Sequence, residues 1–175
     1  MIDIELPTDT LKNLSLDSSS GTRQFMTNSQ IEAIDFDFVK RNYINSLNCS
    51  EDKACSVDGI IDNENNKLFI EFKNGKIDTK QKRGIKNKAK DSLLMYGDIK
   101  DKTLEYFRDN YTFILVYNGK KNRTHSQSMN NIHSNLYSRS NEQEIRFGLD
   151  SLDKVFFKNV CTYNESEFEE FLKTI

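Results

Sequence analysis

Residues 55–73, CSVDGIIDNENNKLFIEFK, constrain the fold more than any other stretch of the chain. Two β-forming apolar runs, 59–61 and 68–72, flank the polar segment DNENNK. This is the signature of a β-hairpin. Strand side chains alternate between faces. Leu68, Ile70 and Phe72 therefore point one way, and Phe69, Glu71 and Lys73 the other. If Ile61 pairs with Leu68, paired residue numbers sum to 129 and Asp58 lies opposite Glu71. Opposed side chains on one face have Cβ atoms about 4.5–5.5 Å apart. Two carboxylates so placed repel each other unless a positive group compensates them. Lys73, two residues along the same face, and a divalent cation are the candidates.

The flanking segments predict helices. Over 28–48, Ser29-x-x-Glu32 has capping-box spacing. Phe36, Val39, Tyr43 and Leu47 form one apolar stripe there, and Ile31, Ile34 and Phe38 a second. Glu32 falls at the end of the first stripe, so it points inward or serves only as the capping glutamate. Residues 77–99 predict a second helix, opened by Asp78 with Gln81 and buried along Ile85, Ala89, Leu93 and Tyr96. Lys82, Lys86 and Lys90 recur at four-residue intervals as a cationic rail along this helix. YTFILVYN at 111–118 predicts a buried strand, and 119–140 a long polar loop. Further strands are expected at 144–149 and 154–163, then a last helix at 166–175 capped by Ser166 with Glu169. Residues 1–28 form an N-terminal extension with a possible short strand at 2–6, and 29–175 make one domain. The order predicts an α/β fold, a central mixed β-sheet flanked by helices.

Charge is unevenly distributed. Residues 1–72 carry 6 basic and 13 acidic side chains, 73–90 carry 8 and 1, and 91–175 carry 11 and 13. The basic block points to an anionic partner at one place or to a solvated helix face. The acidic N-terminus MIDIELPTD is unlike a signal peptide, and no apolar run approaches the ~20 residues of a membrane span. A cytoplasmic chain without membrane attachment is expected. Cys49, Cys55 and Cys161 are odd in number with no Cys-x-x-Cys spacing and predict reduced structural thiols. His125 and His133 fall in the polar loop without acidic or thiol neighbours, which argues against zinc.

Asp/Glu-x-Lys occurs at Glu51, Glu71, Asp78 and Asp98, but only Glu71-Phe72-Lys73 lies in an apolar strand with an acid opposite. With Asp58, a preceding helix bearing Glu32 and a following basic helix, this resembles the PD-(D/E)xK nuclease superfamily, although Val57 rather than proline precedes Asp58. The resemblance covers about residues 29–118. It implies a restriction-endonuclease-like core and hydrolysis of phosphodiester bonds assisted by Mg²⁺ or Mn²⁺. Asp58, Glu71 and the Phe72 carbonyl would hold the ion, and Glu32 would complete the ligand set or a second site. Lys73 would orient the attacking water or the phosphate, and Lys82, Lys86 and Lys90 would grip the nucleic-acid backbone. DNA ranks ahead of RNA, in phage defence, repair or mobile-element processing, and pairing as a homodimer fits cleavage of two strands.

Simpler readings stand beside these. Lys73 with Glu71 makes a strand-edge ion pair, and Asp58 before Gly59 begins a bend. The alternative function is a non-catalytic protein-binding module of immunity or inhibitor type on the same fold, docking a protein partner. A third is nucleic-acid binding through the lysine rail without cleavage.

Overall fold

The hairpin forms in the register that the apolar pattern dictates. Strand β5 (Gly59–Asp62) pairs antiparallel with β6 (Lys67–Lys73), Ile61 facing Leu68 and Ile60 facing Phe69. The computed structural model of the chain describes residues 4–17, 23–123 and 145–175. Around the hairpin lie β1 (Thr8–Thr10), α1 (Leu11–Leu14), β2 (Leu16–Asp17), β3 (Gln24–Phe25), β4 (Glu32–Asp35) and α2 (Phe36–Ser46). Next come α3 (Thr79–Lys100), α4 (Leu104–Asn110), β7 (Thr112–Tyr117), β8 (Asn159–Asn164) and α5 (Glu165–Leu172).

Six strands form one mixed sheet in the order β1-β4-β5-β6-β7-β8. The β1 to β6 pairings are antiparallel, and β6, β7 and β8 run parallel. Strand alternation divides the apolar side chains into two cores. On one face Ile60, Phe69, Phe113, Leu115 and Val160 pack with α2, α3 and α4. Phe69 sits edge-on to Tyr96, Phe107, Tyr111 and Phe157 there, with centroids 5.3–6.1 Å apart. On the other face Ile61, Leu68, Ile70, Phe72, Ile114 and Val116 pack with Leu11 of α1 and with Phe168 and Leu172 of α5. The result is a single α/β domain, a mixed sheet between helical layers. Among the described residues no helix is long and apolar enough to cross a membrane.

Several elements differ from the sequence expectations. The helix predicted over 28–48 starts only at Phe36, because Glu32–Asp35 extends to bridge β1 and β5. Sheet pairing along both edges overrides the helical spacing of Ile31 and Ile34. The cap is Asp35, whose carboxylate accepts from the Phe38 amide at 3.0 Å, and Ser29 instead accepts from the Ile31 amide. Within 144–149, the described residues 145–149 form a turn rather than a strand. Phe147 and Gly148 both have positive φ, 63° and 68°, which ends any extended run. Of 154–163 only the second half is strand, since Lys154 turns at φ 57°. Asn164 with Glu167, not Ser166 with Glu169, makes the capping box of α5.

Residues 4–6 are not strand, but β1 completes the sheet edge and the β2–β3 pair folds beside it. The α3 expectation holds: Asp78 caps the helix and Ile85, Ala89, Leu93 and Tyr96 are buried. The polar stretch 119–140 falls outside the described residues beyond Arg123, with both histidines. All three cysteines are free thiols.

At the far end of β5 from Asp58, the nearly buried Asp62 ties the hairpin to α3. Its carboxylate accepts from the Tyr96 hydroxyl at 2.6 Å, pairs with Lys67 at 2.9 Å and lies 3.5 Å from Lys100. Burial pushes this carboxyl up, but the donors from Tyr96, Lys67 and Tyr111 outweigh it, and Asp62 ends below its ordinary value. A depressed carboxylate stabilises the fold above its unfolded value of about 3.9 and loses that contribution as pH falls. Asp62→Asn should therefore destabilise the protein by about 2–3 kcal/mol at pH 7. Thermal melts of the two proteins should converge below about pH 4 as the native carboxylate is protonated.

Candidate active site

The site is assembled at the carboxyl end of β6. The Asp58 amide donates to the Ile70 carbonyl at 3.1 Å, one residue out of step with the Gly59–Ile70 pairing, so Asp58 lies just outside the paired ladder. Its carboxylate turns back and accepts from the Phe72 amide at 2.6 Å. The segment before it is clamped to α3: the Cys55 amide donates to Asp91 at 2.9 Å and the Val57 amide to the Ser92 hydroxyl at 2.8 Å. Gly59 allows the close approach of α1, since a Cβ there would lie 2.9 Å from Leu14 Cδ1.

Asp58 and Glu71 do converge, and the cation between them is Lys88 of α3. Its Nζ lies 2.8 and 3.0 Å from the two Glu71 oxygens and 3.6 Å from Asp58 Oδ1. The Glu71 side chain is 1% exposed, that of Asp58 18% and that of Lys88 32%. Two carboxylates thus share one ammonium in a poorly solvated place. Burial, then the charge of Asp58, pushes Glu71 well above the usual carboxylate range, against the pull of Lys88 and Lys73. Burial likewise pushes Asp58 up to about 6 despite Lys88 and the Phe72 amide. Burial would lower Lys88, but Glu71 and Asp58 hold it above its ordinary value.

Asp58 lines a cleft of about 340 Å³ together with Lys73, Lys76 and Gln81 and with the apolar Leu14, Leu16 and Met26. Buried amides brace its rim. The Asn74 side chain donates to Asp17 at 2.9 Å and to Gln24 at 3.0 Å, fastening the β2–β3 pair over the cleft. Asn118 donates to Asn74 at 2.7 Å. Asn122 accepts from the Ile77 amide and donates to the Gly75 carbonyl, holding the β6–α3 connection.

The predicted site residues separate into two groups. Asp58, Glu71, Phe72 and Lys73 meet at this end of the sheet. Glu32 does not join them. It is exposed on β4, faces Thr10 of β1 and accepts weakly from the Thr8 hydroxyl at 3.4 Å. The strand bridging β1 and β5 carries it to the opposite end from Asp58. Lys82, Lys86 and Lys90 do not line the cleft. At about 100° per residue, Lys86 and Lys90 sit roughly 160° around α3 from Lys88. The Lys90 ammonium instead lies 4.9 Å from the Phe156 ring centroid.

Sequence reasoning overlooked Lys88, although it lies about 60° from Ile85 and 40° from Ser92 on the helix wheel, at the margin of the buried stripe. It also overlooked Asp37 in the first turn of α2. That carboxylate accepts a short hydrogen bond from the Ser56 hydroxyl, and its charge raises both Asp58 and Lys88.

For a metal, the donors are two carboxylates with hard oxygens aimed at one cation position. Because a strand residue's amide and carbonyl point to the same neighbour, the Phe72 carbonyl faces the Asp58 side as well. These fit one oxygen-ligated divalent ion. Among the described residues no group of three His, Cys, Asp or Glu side chains forms a metal cluster. Water and backbone would have to complete the shell.

A carboxyl raised by burial stabilises the fold below its unfolded value, and that contribution is lost as pH climbs through the folded value. Asp58→Asn, which can still accept from the Phe72 amide, should thus raise the melting temperature by about 3–6 °C at pH 8 and leave it nearly unchanged at pH 4. Melting curves of both proteins at the two pH values check this.

No family model matches the chain, no curated protein matches it, and no solved structure matches it.

Proposed function

We propose that the chain is a metal-dependent nuclease that hydrolyses phosphodiester bonds, with a restriction-endonuclease-like core. One observation carries this reading: Asp58 and Glu71 converge on a single cation position, and Asp58, with Lys73, also lines a cleft. The β5–β6 hairpin, the helix that follows it and the parallel β7 support the same assignment of the core.

Asp58, Glu71 and the Phe72 carbonyl would hold Mg²⁺ or Mn²⁺. When bound, the ion lowers the pKa of a coordinated water and offsets charge that builds up on the phosphoryl oxygens. The Lys73 ammonium makes no ion pair or hydrogen bond with the described residues, and Lys73 lines the cleft, so the ammonium is available to orient the water or the scissile phosphate. Lys76 and Gln81 line the adjoining wall and contact the flanking phosphate backbone, the role first expected of the lysine rail. Backbone contacts of this kind carry no sequence information. Nucleic acid, with DNA ahead of RNA, is the partner.

A specific observation favours a second reading. Lys88 already compensates both carboxylates, so the fold closes without a metal, as a non-catalytic protein-binding module would.

Cleavage assays separate the two. Incubation with linear, supercoiled, single-stranded and branched DNA and with RNA, plus Mg²⁺ or Mn²⁺, should yield metal-dependent products. Lys73→Ala should lower the rate at least about 100-fold with an unchanged circular-dichroism spectrum. Intact substrates throughout would leave the binding module as the better account.

A further inference from the structure

We infer that Lys88 is a resident counter-ion at the metal position, which a divalent cation must displace to bind; the inference rests on the metal-binding reading of Asp58 and Glu71. Three distances carry it. The ammonium is within 3.0 Å of both Glu71 oxygens and 3.6 Å from Asp58, so it occupies the point on which both carboxylates converge. Oxygen-ligated divalent ions sit about 2.0–2.6 Å from their ligands. An ion bridging the same oxygens would overlap the Lys88 nitrogen, and two cations there repel strongly in a buried setting.

Displacement requires little of the fold. The Lys88 backbone is fixed, because its neighbours Ile85, Ala89 and Ser92 are buried and Ser92 holds the Val57 amide. The side chain is a flexible four-carbon stem with 32% exposure, so the ammonium can swing outward while α3 stays in place. The site is therefore compensated at all times, by lysine when empty of metal and by metal when lysine has left. Lys88 sets the ion concentration at which the exchange occurs. Lys73 lies beside the pair without touching either carboxylate within ion-pair distance, so it raises the local potential but blocks no coordination position.

Calorimetric titration with Mn²⁺ alone tests this on the full chain, comparing the wild type, Lys88→Met, Lys88→Gln and Lys73→Met. Both Lys88 variants should bind Mn²⁺ at least tenfold more tightly than the wild type, and Lys73→Met less than threefold more tightly. The Gln variant keeps a donor for Glu71 and covers the case in which Lys88→Met fails to fold. Melting temperatures should agree: 1 mM Mn²⁺ should raise that of Lys88→Gln by more than it raises the wild type. If the wild type binds Mn²⁺ and the Lys88 variants bind it equally or more weakly, Lys88 is not a competitor and the metal site stands without this role. If Lys73→Met tightens binding as much as the Lys88 variants, the effect is general charge and the inference falls. If no protein binds Mn²⁺, both the inference and the metal reading fall.

Discussion

Two acids buried against one ammonium dominate this molecule's design. The hairpin and the residue that leads into it bring Asp58 and Glu71 together, and α3 delivers the lysine that makes their proximity tolerable. Neither strand nor helix could be slipped by a residue without turning a carboxylate into apolar packing or stranding it without a cation. The surrounding structure is correspondingly firm. Asp91 and Ser92 hold the entry to β5, and the Phe69 cluster locks the strand beneath.

The two ends of β5 show what compensation does to a buried acid. Asp58 and Asp62 lie four residues apart on one face of the sheet, yet they are displaced in opposite directions. Asp62 has a tyrosine hydroxyl and two lysines within reach and is held ionised. Asp58 has one lysine shared with a deeper glutamate, and burial prevails. The Asp62 end is an anchor. The Asp58 end spreads one positive charge over two acids, the condition under which a dication could take the lysine's place.

The parts of this arrangement that depend on local pattern were readable from sequence. Alternation in 68–73 and the polar turn fixed the hairpin register, and the apolar stripe fixed the buried face of α3. Asp58, Glu71 and Lys73 followed from that register alone. What depended on distant pairing was not readable. The segment 32–35 carries helix-compatible spacing, and only the presence of β1 and β5 on either side makes it a strand, which moved Glu32 away from the site. Lys88 was hidden among eight basic residues of 73–90, because charge counts say nothing about which side chain faces the sheet. The burial of the asparagines that brace the cleft arises where three separate segments meet, which no local pattern reveals.

That brace has an implication of its own. Asn74, Asn118 and Asn122 join the β2–β3 pair, the strand ends and the helix lead-in mainly through neutral amides, which neither titrate nor respond much to ionic strength. Changes of acidity or salt should alter the electrical character of the groove while its outline persists, so the mouth can be tuned as a charged surface without being remodelled as a shape.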